Sequence, residues 1–62
     1  MCESKVILKK GDKTEIIMDE ALKLEIKGDR VEISGILGEK KSVEAKIAKI
    51  DLEKHEIILE KF

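Results

Sequence analysis

The chain has 62 residues, enough for one small domain whose core is marginal in size. Its 13 basic and 14 acidic residues leave a net charge of −1, which excludes a general electrostatic attraction to nucleic acid or to an anionic membrane. Charged and hydrophobic residues, 44% and 42% of the chain, are interleaved, as in folded domains. There is no apolar run of about 18 residues and no signal peptide. We therefore expect a single soluble, cytoplasmic domain over residues 1–62.

A first β-hairpin is predicted near the start of the chain. Apolar residues recur mostly at every second position, which is the strand signature. Residues 6–9 are predicted to pair with residues 14–17 across a turn that contains Gly11 and Asp12. Residues 18–21 are predicted to form a bend that leads into the next hairpin.

The second hairpin has the clearest alternation in the chain. Leu22, Leu24 and Ile26 are predicted to face one way, while the charged residues between them face the other. A two-residue turn, Gly28-Asp29, then reverses the chain. In the returning strand, residues 30–34, Val31 and Ile33 are predicted to point inward.

The remaining segments complete the predicted sheet. Gly35 and Gly38 are typical of a bulge or a sharp bend in a sheet. The spacing in residues 42–50 fits either a helix or a strand. Residues 50–52 and 55–59 are predicted to form a closing hairpin around a turn at residues 53–54. Together the patterns indicate an all-β domain, a small barrel built from antiparallel hairpins.

The single cysteine, Cys2, is the candidate metal ligand. Initiator methionine is normally removed before a small residue, so the mature chain is expected to begin with Cys2. Its α-amino group and thiol have reference pKa values of about 7.7–8.0 and about 8.5, and a divalent metal can displace their protons. The amine and the thiolate close a five-membered chelate. The alternative is structural: a lone cysteine is often a small buried hydrophobe, and the end of a chain is often frayed.

The frame Met1-Cys2-Glu3-Ser4-Lys5-Val6-x-Leu8 resembles the start of the CooT family of small nickel-binding proteins. The resemblance continues through three internal motifs and two later residues: Leu22-x-Leu24-Glu25, Gly28-Asp29-x-Val31, Ile47-x-x-Ile50-Asp51-Leu52, Ile57 and Leu59. The N-terminal Met-Cys frame is the distinctive part, since the other motifs are generic hairpin patterns.

This resemblance implies a fold, a metal and a partner. It implies an SH3-like barrel and so favours strand for residues 42–50. It also implies a homodimer that binds Ni(II) at its interface through Cys2 of each chain. The function it implies is nickel delivery to carbon monoxide dehydrogenase, the nickel-enzyme client, by a metallochaperone that is not itself an enzyme. No catalytic residue is assigned.

Two other functions stay open at this stage. Related sequences have been labelled predicted RNA-binding proteins, and two lysine groups could contact phosphates, residues 9, 10 and 13 and residues 40 and 41. Recognition of single strands depends on aromatic stacking, however, and Phe62 is the only aromatic residue. The third possibility is a structural dimerisation domain with an incidental cysteine. His55 is interpreted as a solvated turn residue, and carboxylates that alternate with lysines are interpreted as cross-strand ion pairs.

Overall fold

The structure is a computed structural model that describes residues 3–62. Those residues form five β-strands and no helix, so the all-β prediction is confirmed and residues 42–50 are strand. None of the described residues lies in a helix that is long and apolar enough to cross a membrane. The strands are β1 (Ser4–Lys10), β2 (Lys13–Lys27), β3 (Arg30–Gly35), β4 (Lys40–Asp51) and β5 (Glu56–Lys61).

The strands follow chain order around a closed barrel, consistent with an SH3-like fold. Each consecutive pair of strands is antiparallel, as the predicted hairpins require. The closing pair is different, because β1 and β5 run parallel and in register from Lys5 opposite Glu56 to Lys9 opposite Glu60. A parallel closure satisfies the backbone groups that an open sheet would leave unpaired at its edges.

The two Gly-Asp turns form as predicted. Gly11 and Gly28 both have φ of +64° and occupy the first central position of a two-residue connection. Glycine adopts this left-handed conformation without the steric cost that a Cβ atom would bring. The turn chemistry therefore sets the register of both hairpins.

The sequence predicted a bend at residues 18–21 between two separate strands, and this prediction is wrong. These residues lie inside β2, a single strand of 15 residues. Its first half pairs with β1 and its second half pairs with β3. β2 changes partner without a break because its register shifts on both sides of this segment.

The first of these shifts is a bulge at Ile17. Val6 lies opposite Met18 and Ile7 lies opposite Ile16, so Ile17 has no partner in β1. A bulge of this kind bends a strand and raises its twist without ending it.

Two further shifts follow. One lies in the pairing with β1, between Met18 opposite Val6 and Ala21 opposite Ser4, and the other leaves Leu22 as the extra residue between two successive pairs with β3.

The bulge is stabilised from across the barrel. The Lys41 ammonium in β4 donates a hydrogen bond of 2.8 Å to the backbone carbonyl of Ile17. A partly buried carbonyl outside the strand ladder requires a partner, because leaving it unpaired costs about 1–3 kcal/mol. The sequence indicates Lys41, with Lys40, only as a possible phosphate contact. In the structure its ammonium group has a structural role, the hydrogen bond to Ile17.

The core contains Val31 and Ile33, as predicted, at 1% and 0% exposure. Leu24 packs against this core, but Leu22 and Ile26 are exposed at 54% and 63%. The extra residue at Leu22 also breaks the alternation before Leu24, so the pattern along β2 predicted neither the burial of all three residues nor a face that they share. The buried hydrophobic residues are Val6, Leu8, Ile17, Met18, Ala21, Val31, Ile33, Ala45 and Leu59.

Gly35 is required by close packing, and this generates the first prediction. A Cβ atom at this position would lie 2.5 Å from the Glu39 carboxyl carbon and 2.8 Å from the Met18 sulfur. Gly35→Ala should therefore lower the free energy of unfolding by about 1 kcal/mol, the low end of the cost of overpacking, because the atoms that must shift belong to the flexible side chains of Glu39 and Met18. Urea unfolding measures the change, with Ser34→Ala on the same strand as the matched control.

Removing the Glu39 side chain should relieve much of this cost, because its atoms make the two shortest contacts. Gly35→Ala should therefore destabilise the Glu39→Ala background less than it destabilises the wild type. An equal loss in both backgrounds would contradict the packing explanation.

Candidate metal centre

The predicted ligand, Cys2, lies outside the described residues. The structure does show what surrounds the strand that follows it. β1 begins at Ser4, which lies opposite Ala21 of β2, and the next residue, Lys5, lies opposite Glu56 of β5. The start of β1 is therefore flanked by backbone from the middle of β2 and from the beginning of β5.

His55 belongs to this end of the barrel. Its backbone carbonyl accepts a hydrogen bond of 2.9 Å from the Lys5 amide. The residue is exposed and lies in the turn between β4 and β5, as the sequence indicated. The sequence did not indicate that the barrel brings this turn into contact with Lys5, a residue far from His55 along the chain and three positions after Cys2.

The turn that carries His55 is held by Asp51. One carboxylate oxygen, Oδ1, accepts hydrogen bonds of 3.1 Å from the backbone amides of both Glu53 and Lys54. The pKa of Asp51 is held below its ordinary value, chiefly by the hydrogen bond from the Lys54 amide. The positive charge of Lys49 and the hydrogen bond from the Glu53 amide act in the same direction. His55 completes the turn in the left-handed region, with φ of +55°, which is uncommon for a residue other than glycine.

Aliphatic side chains surround the same end of the barrel. Leu37 and Leu52 are the most exposed, at 85% and 80%. The loop that carries Leu37 is tied to β2 by a bond of 3.0 Å from the Ile36 amide to the Glu20 carbonyl. We call this group the β1-start surface; its members are Leu22, Ile36, Leu37, Ile50 and Leu52.

The donor atoms of the described residues are too dispersed to make a metal site by themselves. Within residues 3–62, no three side chains from histidine, cysteine, aspartate and glutamate come together in a group that could hold a metal. Cysteine thiolate and amine nitrogen are suitable donors for a late first-row transition metal.

Two pairs of charged residues away from this end form the cross-strand ion pairs expected from the sequence. Lys10 lies 3.1 Å from Glu15 and Lys27 lies 3.2 Å from Glu32, each pair linking neighbouring strands. Exposed pairs of this type contribute only about 0–1 kcal/mol. They also occupy Lys10, one of the lysines considered for phosphate contacts.

The Asp51 turn generates a prediction for pH dependence. Because the pKa of Asp51 is lowered by folding, its charged form stabilises the folded state at pH values above the unfolded pKa of about 3.9. That stability is lost as the pH falls through the lower, folded pKa. Asp51→Asn should therefore be less stable than the wild type at pH 6, and the difference should shrink at pH 3.

Urea unfolding at the two pH values checks this prediction. Asp19→Asn is the control, because this substitution removes the same charge from an exposed residue of β2. A stability difference for Asp51→Asn that is the same at both pH values would contradict the role of the ionised carboxylate.

Comparison with known proteins agrees with this architecture and with the N-terminal frame. A sequence model of the family described as CO dehydrogenase accessory protein CooT matches residues 1–60. An uncharacterized protein of Methanothermobacter thermautotrophicus is 33% identical over 60 residues, which are 97% of this chain and 89% of that protein. A crystal structure assigned to CooT of Carboxydothermus hydrogenoformans matches with a TM-score of 0.89 at 31% identity and covers 98% of each chain. The chain therefore belongs to the CooT family of CO dehydrogenase accessory proteins.

Proposed function

We propose that this protein binds Ni(II) as cargo and hands it on during maturation of CO dehydrogenase. The ion would be held by Cys2 of two chains at the interface of a homodimer. The observation that carries the proposal is the family match over residues 1–60, which includes the only thiol of the chain. An accessory protein of this kind acts as a carrier and requires no catalytic residue.

The chemistry of the chain terminus supports nickel. After removal of Met1, each chain offers an amine and a thiolate from Cys2, and two chains offer a nitrogen–sulfur set of four donors. Square-planar coordination is a preference of Ni(II) and Cu(II), whereas zinc favours a tetrahedral site with four protein ligands. The backbone amide of Glu3 is a further nitrogen donor that could replace an amine.

The β1-start surface supports a homodimer. A second copy placed against it would cover five exposed aliphatic side chains that the barrel itself leaves in water, Leu37 and Leu52 above all. Clustered exposed apolar side chains of this kind are typical of interaction sites. The same contact would bring two copies of the segment before Ser4 together, as a shared metal site requires.

The proposed mechanism is reversible capture. Binding displaces the protons of the Cys2 thiol and amine, so affinity for nickel should rise with pH. Release then proceeds by ligand exchange, as donors of the client enzyme replace the amines and thiolates one at a time.

Native mass spectrometry with added nickel tests the ligand. Tag-free protein with Met1 removed should form a dimer that binds one nickel ion, and Cys2→Ser should bind none. His55→Asn is the matched control because asparagine tolerates the left-handed backbone of that turn but removes the imidazole.

Nickel binding that survives Cys2→Ser would overturn the assignment of Cys2. A wild-type mass that never shifts, with the thiol reduced and Met1 removed, would overturn the nickel proposal as a whole. Loss of nickel in His55→Asn as well would add the imidazole to the ligand set.

The proposed interface predicts where a single charge breaks the dimer. Leu37→Glu and Leu52→Glu should each shift the protein toward monomer, because a carboxylate would be buried without a partner. Phe62→Glu is the control: Phe62 is 69% exposed and follows β5, at the other end of the barrel. Light scattering after size exclusion measures the mass, and a dimer that resists the two leucine variants would place the interface elsewhere.

A further inference from the structure

The opposite end of the barrel contains an open cavity of about 430 Å³, which we call the far mouth. Its floor is apolar and is formed by Leu8, Ile17 and Val43. Leu8 and Ile17 are core residues at 5% and 9% exposure, so the far mouth opens directly onto the hydrophobic core. No other strand or turn of the described chain closes it.

The far mouth and the start of β1 lie at opposite ends of the barrel. Lys10 and Lys61 line the far mouth, and they end the parallel strands β1 and β5. The seven residues of β1 span roughly 20 Å at about 3.3 Å per residue. A ligand in the far mouth would therefore leave the β1-start surface free.

The charges around the far mouth are unbalanced. Lys10 is neutralised by its ion pair with Glu15. Two other cations, Arg30 and Lys61, line the cavity together with one carboxylate, Glu44. Within residues 3–62, neither cation has a carboxylate within 4.0 Å.

The two free cations approach from different sides of the cavity. Arg30 begins β3 and Lys61 ends β5, and these two strands flank β4. The Arg30 guanidinium is held by a hydrogen bond of 3.0 Å to the Ser42 hydroxyl, which leaves most of its donors available. Glu44 lies on β4 opposite Arg30, so the two cations outnumber the one carboxylate between them. The recognition pattern of this end is thus an apolar floor with an excess of positive charge around it.

We propose that the far mouth binds an extended acidic segment of a partner protein in which carboxylates lie two positions before and two positions after an aliphatic residue. Side chains two positions apart in an extended peptide point to the same face. The aliphatic side chain would enter the cavity over Leu8 and Val43, while the flanking carboxylates face the rim and meet Arg30 and Lys61. Charge-assisted hydrogen bonds to carboxylates are stronger than neutral ones.

A peptide fits this site better than RNA does. Phosphates could meet the same cations, but none of the residues that line the far mouth is aromatic. Binding of single-stranded nucleic acid depends on bases stacked on aromatic side chains. An aliphatic floor suits a leucine, isoleucine or valine side chain.

The test is an NMR titration of the isotope-labelled full chain. The probe is an acetylated, amidated pentapeptide of sequence Asp-Ser-Leu-Ser-Asp, which places both carboxylates on the same face as the leucine. Its addition should shift the amide signals of Leu8, Val43 and Lys61, and binding should weaken when salt is added. Two comparison peptides are a leucine–lysine peptide, with lysine in place of both aspartates, and a peptide with serine in place of leucine. Each should bind at least about tenfold more weakly, since each lacks one of the two required features.

The double variant Arg30→Glu/Lys61→Glu should weaken binding by about tenfold or more. Its fold is checked in the same spectra, and Lys23→Glu, an exposed charge reversal in β2, should leave binding unchanged. Equal binding of the leucine–lysine peptide, shifts confined to the β1-start surface, or tighter binding of a mixed RNA oligonucleotide would each overturn the proposal. Failure here leaves nickel binding untouched, because that is measured separately on Cys2.

Discussion

The parallel pairing of β1 with β5 is the interaction on which the rest of the structure depends. It joins the first strand of the chain to the last and turns five consecutive strands into a closed barrel. Two of its members, Val6 and Leu59, are completely buried, so the closure is also the centre of the core. The pairing costs more chain entropy than a hairpin contact, because the closed loop spans nearly the whole chain. Burial of these side chains offsets that cost.

This closure gives the barrel two unlike ends. At one end, the start of β1 lies beside the turn that holds His55, and exposed leucines surround it. At the other, β1 and β5 finish together around the far mouth, with an apolar floor and a rim of charged side chains. In the proposed dimer the β1-start surfaces would face each other, so the two far mouths would point outward. The proposed cargo and the proposed acidic segment would then be bound at opposite ends of each subunit.

The curvature of the barrel is produced locally, by irregularities in otherwise regular strands. β2 bends at its bulges and so contributes to two neighbouring pairings. The carbonyl that the bulge at Ile17 releases from the ladder is satisfied by Lys41 from β4. Gly35 allows β3 to approach Met18 and the Glu39 side chain more closely than any other residue could. These contacts connect strands that the hairpin pattern treats as independent.

The sequence by itself determined the first two hairpins with their Gly-Asp turns and the inward direction of Val31 and Ile33, because alternation and glycine conformation are local properties. It left residues 42–50 open between helix and strand. It also determined the only thiol, Cys2, and so the chemistry of the candidate site. Only the tertiary structure decided that residues 18–21 continue a strand, since a bulge is defined by the register of its partner. It alone decided that Ile26 stays in water and that His55 lies near the chain start. The burial of a side chain and its distance from other residues depend on the strands that pack against it. The local sequence pattern of one strand does not indicate which distant strand will pair with it, as β5 pairs with β1 to close the barrel.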